Sequence, residues 1–420
     1  MCVLLLALRK AQSAKHQDMV RTCLGTLESM EKVECVLEAP AGIQEQNSLS
    51  DEPESSEYAE FPQARMKGSI IVDLQNMNKI LDVNDKSSYY TVEPGGWGYT
   101  AHGDHSNQTC GIKVVLPDGT LVRTGMRALD NSACGPLFRG GYGTTYDSMF
   151  SQSNFGIVTK MSTWACLAPE GFMRVNLSVP EERDLAPMVD ILREMLLREK
   201  IQNHHVIGNV IREIKKRGLR KDFWNEDTSI PYYRIKEMME YNLKQIREAF
   251  KPIKGHELTA TAHYPKPGQK YVNAIDIPYG HISFSSVLPS DGKAALEFYY
   301  MAQKLCGKHV YDFVAGLHMH LRHMTHINII HFDCNSQKDK DTANALFVDL
   351  VRSAREAGYG EYRAHIEHMD LVAKQYDFGG GALMRLNERI KDTLDPNGIL
   401  SPRKQGIWAK QYRNKGKSQL

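Results

Sequence analysis

The sequence contains no CxxC pair, and its eight cysteines follow no regular spacing. Neither a zinc module nor a disulfide framework is therefore indicated, and reduced thiols in an intracellular protein suit the pattern. An excess of one charge is missing too. With 52 basic and 50 acidic side chains the net charge is +2, which gives no electrostatic basis for binding nucleic acid or an anionic membrane. No apolar run approaches the length of a membrane span. The glycine-rich piece RGGYGTTYD (Arg139–Asp147) lacks the lysine of a phosphate loop and the strand-then-helix frame of a dinucleotide fingerprint. Met1–Leu8 is apolar, but it is short and is followed directly by Arg9 and Lys10, the reverse of a secretory signal's charge order. The chain ends Ser418-Gln419-Leu420, a weakened form of the SKL peroxisomal address, so a cytoplasmic or peroxisomal location is expected.

What is present is ordinary globular material, 42% apolar and 24% charged over 420 residues, enough for about two or three domains. Residues 1–65 give no convincing start to a fold. Lys15–Val36 reads as a helix, and Gln44–Glu60 is an acidic, Ser- and Pro-containing linker or disordered segment. From Gly68 onward the chain turns β-rich, with strands expected at Ser69–Leu74, Ser88–Gly95 and the end of Ser151–Trp164. In Cys110–Gly125, two β-forming runs flank Pro117-Asp118-Gly119, which predicts a hairpin. After Pro169 strands and helices alternate. Strands are expected at Arg174–Pro180, His256–Tyr264 and His281–Leu288, and helices at Glu181–Ile201, Ile235–Phe250, Gly292–Leu305 and Asp341–Ala357. That alternation implies a mixed sheet layered with helices. The tail has a helix at Ala382–Thr393 and a turn-rich end at Asp395–Trp408. With no core of its own, it is expected to pack on the β-rich region.

Candidate chemistry concentrates in Phe313–Asp333, which carries five of the sixteen histidines: His318, His320, His323, His326 and His331. Alternation of apolar and polar residues there suits a strand, and a buried imidazole needs a polar partner. Three readings stand open: satisfied core or surface histidines, a metal site on His318 and His320, or a covalent cofactor anchor. Elsewhere Asp104 lies isolated between Gly103 and His105, as a turn cap or a functional acid. Tyr362 and Arg363 are adjacent, as a surface pair or a binding pair.

Taken together, eight pieces in order resemble the flavin-dependent oxidoreductases typified by vanillyl-alcohol oxidase, eugenol oxidase and the 4-cresol dehydrogenase flavoprotein subunit. They are MKGSIIVDLQNMNKILDV, YYTVEPG, GYTAHGDH, VVLPDGTLVRTGM, FSQSNFGIVTK, LRHMTHINII, GYGEYRAH and LDPNGILSPRKQGIW, covering residues 66 to about 410. The resemblance implies an α+β fold of two domains. An FAD-binding domain at 66–169 is completed by 359–420, and a mixed α/β cap domain at 170–358 forms the substrate pocket. It implies FAD as cofactor, with His326 matching a covalent anchor and His323 as second choice. Asp104 would lie near flavin N5. Tyr362 and Arg363 would bind the phenolic oxygen of a para-substituted phenol, and hydride loss from the para side chain would give a quinone methide. Gly103, Ser151, Asn154, Gly156 and Ile157 would line the cofactor, and no metal is expected, since His318 and His320 lack a matching second ligand group. Molecular oxygen or another acceptor would take the electrons, and a homodimer or larger homo-oligomer is implied.

The sequence departs from that pattern in three places. A long stretch with a glycine-rich loop is missing between Gly95 and Gly96, and the strand–helix unit with its pyrophosphate loop is missing before Met66. A shorter gap falls between Tyr264 and Ile275. Because glycine-rich turns present the N–H groups that bind pyrophosphate, a chain binding FAD poorly, or one without catalysis, is the alternative expectation.

Overall fold

In a computed structural model, the described residues are 34–36, 71–73, 79–93, 99–100, 103–165, 179, 181–199, 204–209, 211–212 and 279–413. The chain divides into two compact units, the first comprising Met1–Ser50, Tyr58–Leu167 and Ile366–Leu420, the second Asp51–Glu57 and Ala168–His365.

The first unit opens with β1 (Glu34–Val36), antiparallel to β2 (Ile71–Asp73). The helix expected at Lys15–Val36 therefore does not reach its last residues, which are recruited as a strand partner for the SIIVDL run. The unit's main sheet is antiparallel, in the order β3 (Ile80–Asn84), β4 (Tyr89–Val92), β9 (Ile157–Trp164), β7 (Thr109–Val115), β8 (Leu121–Arg123). The expected hairpin is β7–β8. Its turn closes by Leu116 N–H donating to Thr120 O and Gly119 N–H to Leu116 O, with Gly119 at a φ of 85°. Interior strand β7 buries Cys110, Ile112, Val114 and Val115. A separate ribbon pairs β5 (Tyr99–Thr100) with β6 (Gly103–Asp104).

The second unit is built on one antiparallel sheet. Its order is β10 (His205–Gly208), β12 (Val314–Met319), β13 (His323–Asp333), β11 (Tyr279–Pro289), β14 (Glu361–Arg363). The histidine-rich stretch thus supplies two adjacent strands. Helices α2 (Gly292–Lys308) and α3 (Gln337–Glu356) follow, and α1 (Leu185–Leu197) precedes them. Asp291 caps α2 by accepting from Ala294 N, and Ser336 caps α3 by accepting from Asp339 N. Ala343, Leu346, Phe347, Leu350, Val351 and Ala354 form the buried stripe of α3 at helical spacing. Phe284 of β11 stacks on Phe298 of α2 and meets Phe347 of α3 edge-on, which fixes the helix-bearing face of the sheet. Glu361–Arg363 belongs to this sheet, so the return to the first unit begins at Ile366 rather than at 359. Three charged or aromatic residues look like tail in sequence, and only pairing with β11 reveals them as an edge strand.

The returning segment carries α4 (Met369–Ala373) and α5 (Phe378–Leu394). Gly379, Gly380 and Gly381 have φ of 59°, 67° and 81°, so the regular part of α5 begins at Ala382, as the sequence suggests. Lys391 and Asp395 are wholly buried. Lys391 Nζ donates to Asp395 Oδ2 (2.7 Å), Asn154 O (2.7 Å) and Leu400 O (2.8 Å). Asp395 in turn accepts the N–H groups of Ile399 (2.8 Å) and Leu400 (2.9 Å). The expected strand at Arg174–Pro180 (Val179 apart), the strand at His256–Tyr264, the helix at Ile235–Phe250 and the gap before Ile275 lie outside the described residues. Among the described residues no helix is long and apolar enough to cross a membrane.

Candidate functional site

Strand alternation sorts the second unit's sheet into two faces. On the face toward α2 and α3, β13 places Met324, His326, Asn328 and Ile330, and β12 opposes Leu317 to His326. His326 is wholly buried there, 5.0 Å from the Phe298 ring and 6.1 Å from that of Phe313. Neither ring nitrogen has a hydrogen-bond partner among the described residues. Burial in this aromatic box pulls its pKa down to about 4, so the ring is neutral at ordinary pH. A bond from His326 to a flavin requires the box to open. The next polar residue on that face, Asn328, donates to Cys306 Sγ at 3.2 Å.

The opposite face carries the other histidines. His204 stacks with His318 (6.3 Å) and His320 (5.5 Å), and His320 lies 4.7 Å from His323, the second-choice anchor. Despite this crowding, no group of three or more His, Cys, Asp or Glu among the described residues is arranged to hold a metal ion. One row of partners crosses all five strands on this face: Gly208, Gly316, Ile327, Ser285 and Arg363. Arg212 lies against Gly316, where a Cβ would come 3.1 Å from its Nε. Only glycine leaves that approach open.

Arg363, at the edge of the row, donates from Nε to Ser285 Oγ at 3.5 Å, and its Cζ sits 5.8 Å from the Tyr362 ring centre. Tyr362 Oη is buried with no partner among the described residues. Burial raises the Tyr362 pKa, Arg363 acts to lower it, and Glu361 acts to raise it. The tyrosine therefore presents a hydroxyl beside a permanent cation, a pairing suited to an oxyanion. The sequence singled out both residues. It did not single out Glu361 or Ser285, whose nearness comes from strand register.

In the first unit, Gly103 and Asp104 form β6, ahead of a 3-10 turn at His105–Gln108. The other expected cofactor residues sit together, entering β9. Ser151 is exposed in a turn, its N–H donating to Ser148 O. Asn154 is buried, and its Nδ2 donates to Ser401 O (3.0 Å) and Ile407 O (3.1 Å), so half of its amide staples the tail. Its Oδ1, like Ser153 Oγ, is buried without a partner among the described residues. Gly156 is needed for packing, since a Cβ there would come 2.6 Å from Val114 Cγ1. Ile157 is wholly buried and pairs with Val115. The sequence overlooked Lys391, whose spacing four residues before Asp395 reads as an exposed helix pair.

Comparisons with known proteins bear on up to 81% of the chain. The FAD linked oxidases, C-terminal domain, matches residues 282–405. The 4-cresol dehydrogenase (hydroxylating) flavoprotein subunit of Pseudomonas putida is 27% identical over 416 aligned residues, covering 81% of this chain and 79% of that protein. Among solved structures, p-cresol methylhydroxylase with substrate bound matches with a TM-score of 0.69 and 26% identity, covering 80% of this chain and 79% of that one. The 4-ethylphenol oxidase from Gulosibacter chungangensis, in its isoeugenol complex, matches with a TM-score of 0.66 and 25% identity, covering 81% and 80%. The eight ordered motifs, the two-unit α+β fold and these matches agree: in sequence and in fold the chain is similar to the FAD-dependent oxidoreductases of the vanillyl-alcohol oxidase and 4-cresol dehydrogenase type.

Proposed function

We propose that the chain oxidises para-substituted phenols at the side-chain carbon, with the phenolic oxygen held by Tyr362 and Arg363. The observation that carries this reading is the pair on β14, a buried hydroxyl without a partner among the described residues next to a guanidinium. The names of the relatives, which act on cresols and ethylphenols, support the same substrate class.

For the cofactor, Ser153 Oγ and Asn154 Oδ1 are buried acceptors without a partner among the described residues, beside Ser151 and Gly156, so this segment fits an FAD. Ser151, Asn154, Gly156, Ile157 and Gly103 would hold it. When bound, FAD supplies the acceptor for the two electrons and the hydrogen that leave the substrate. The remaining chemistry belongs to the side chains. A phenol's pKa near 10 falls beside a guanidinium and a hydroxyl donor. The phenolate so held weakens the benzylic C–H bond, and the substrate passes through a quinone methide that water attacks at the same carbon. Asp104 would orient the substrate and balance the charge that develops. Oxygen or another carrier then takes the electrons. We give His326 a packing role, since its nitrogens are enclosed by Phe298 and Phe313.

A second reading, a chain that binds FAD weakly, is favoured by the motif gap between Gly95 and Gly96. Titrating the purified protein with FAD, then adding a 4-alkylphenol, separates the two readings. The first expects a bound flavin bleached by the phenol. Flavin bound but never bleached by any para-substituted phenol would overturn it, and no flavin binding would establish the second.

A further inference from the structure

Between two points of its register with β11, β14 has one residue too many. Ser285 pairs with Arg363 and Ser286 with Glu361, which leaves Tyr362 as the extra residue of a bulge. Bulges re-aim side chains, but in a three-residue edge strand few main-chain bonds hold one in place. Here Val287 N–H donates to Gly360 O at 2.9 Å, and a buried carboxylate does the rest. Glu361, only 2% exposed, accepts the Ser285 N–H at Oε1, 2.9 Å away. Ser285, wholly buried, accepts from Arg363 Nε at Oγ, 3.5 Å away. Carboxylate, serine and guanidinium form a chain that leaves β14, crosses β11 and returns.

We propose that Glu361 and Ser285 are positioning residues for the phenol-binding pair, fixing the bulge and with it the direction of the Tyr362 hydroxyl and the Arg363 guanidinium. The inference rests on the phenol reading above. A neutral residue would fill a purely structural place at lower cost, because a carboxylate must be desolvated to be buried. The charge has a use, however. It opposes the pull of Arg363 on the Tyr362 proton, in the same direction as burial. Tyr362 then stays a donor, and a donor beside a cation receives an anionic oxygen, where two phenolates would repel each other.

The test is calorimetric binding of a 4-alkylphenol to the flavin-loaded protein across pH, in buffers of different ionisation heat, so that proton release is counted. Wild type is expected to bind with proton release well below the free phenol's pKa. Ser285→Ala and Glu361→Ala are expected to bind about tenfold more weakly, as for loss of an ordered charge-assisted contact, and without proton release. Glu361→Gln keeps an acceptor for the Ser285 N–H and is expected to recover most of the affinity, but to lose it at a lower pH than wild type, because the charge that helps Tyr362 keep its proton is gone. Variants that keep wild-type affinity and proton release overturn the inference, and so does a Glu361→Gln protein as weak as Glu361→Ala. Should Glu361→Ala fail to fold, Glu361→Gln decides for the carboxylate and Ser285→Ala for the hydroxyl that meets Arg363. Wild type that binds no phenol at any pH overturns the phenol reading itself, and that outcome is visible before any variant is made.

Discussion

Both units bury polar groups, and the ion pair at Lys391 in the first is satisfied in a way that the sheet of the second is not. In the first unit Lys391 spends all three of its protons on Asp395, Asn154 and Leu400, and Asp395 collects two backbone N–H groups besides. In the second, Tyr362 Oη, Thr325 Oγ1, Asn328 Oδ1 and both nitrogens of His326 are buried without a hydrogen bond among the described residues. A closed ion pair of this kind holds chain segments together, and Lys391 itself has no proton left for a ligand. An open network costs stability, which makes sense where a bound molecule completes it or where, as at His326, the group stays neutral.

The largest effect should come from opening the closed network. Asp395→Ala leaves the Lys391 charge buried alone and is expected to cost about 3–5 kcal/mol in chemical denaturation. A loss under about 1 kcal/mol would mean that water reaches the site and would end the contrast. Next comes Arg363→Ala, with kcat/KM for a 4-alkylphenol falling about a hundredfold while flavin content is unchanged, as for a lost charge-assisted hydrogen bond in a buried site. An unchanged kcat/KM would separate the open network from substrate binding.

His326 sharpens the comparison through pH. Its folded pKa of about 4 lies below the usual 6.5, so the unfolded chain binds a proton that the folded one refuses. Stability from the neutral ring is complete above pH 6.5 and declines as the pH falls toward 4, by about 3 kcal/mol at most. His326→Phe, which preserves the aromatic packing, is expected to flatten that acid limb and to leave flavin content unchanged. Flavin lost specifically from this variant would restore an anchoring role to His326. The smallest effect expected is that of Tyr362→Phe, about three- to tenfold in phenol affinity, since a neutral donor is lost while the cation remains.

Local pattern made much of this legible. The Pro117-Asp118-Gly119 turn, the body of α3 (its first turn, from Gln337, apart) and the start of regular helix after Gly381 are all short-range signals, and they read correctly. Alternation in β13 likewise announced two faces, but not that α2 and α3 would cover the one bearing His326. That depends on which side the following helices pack. β1 escaped because its partner is far along the chain, and β14 because three residues carry no period. The roles of Glu361 and Ser285 arise from register, which one strand alone does not encode. Lys391 was missed because burial of a charge is decided by the loops at Asn154 and Leu400, not by the helix it sits on.

The clamp around Lys391 also has a consequence in time. Asn154 is translated early, and the donors and acceptors that seal it arrive some 240 residues later, after the whole second unit. On the ribosome, the first unit therefore waits with a raw edge while the inserted unit is free to fold, because so distant a contact cannot form before its far end emerges. A nascent chain stalled or cut before Asp395 would carry a finished middle and an unsealed beginning, and quality control would meet it as a folding intermediate.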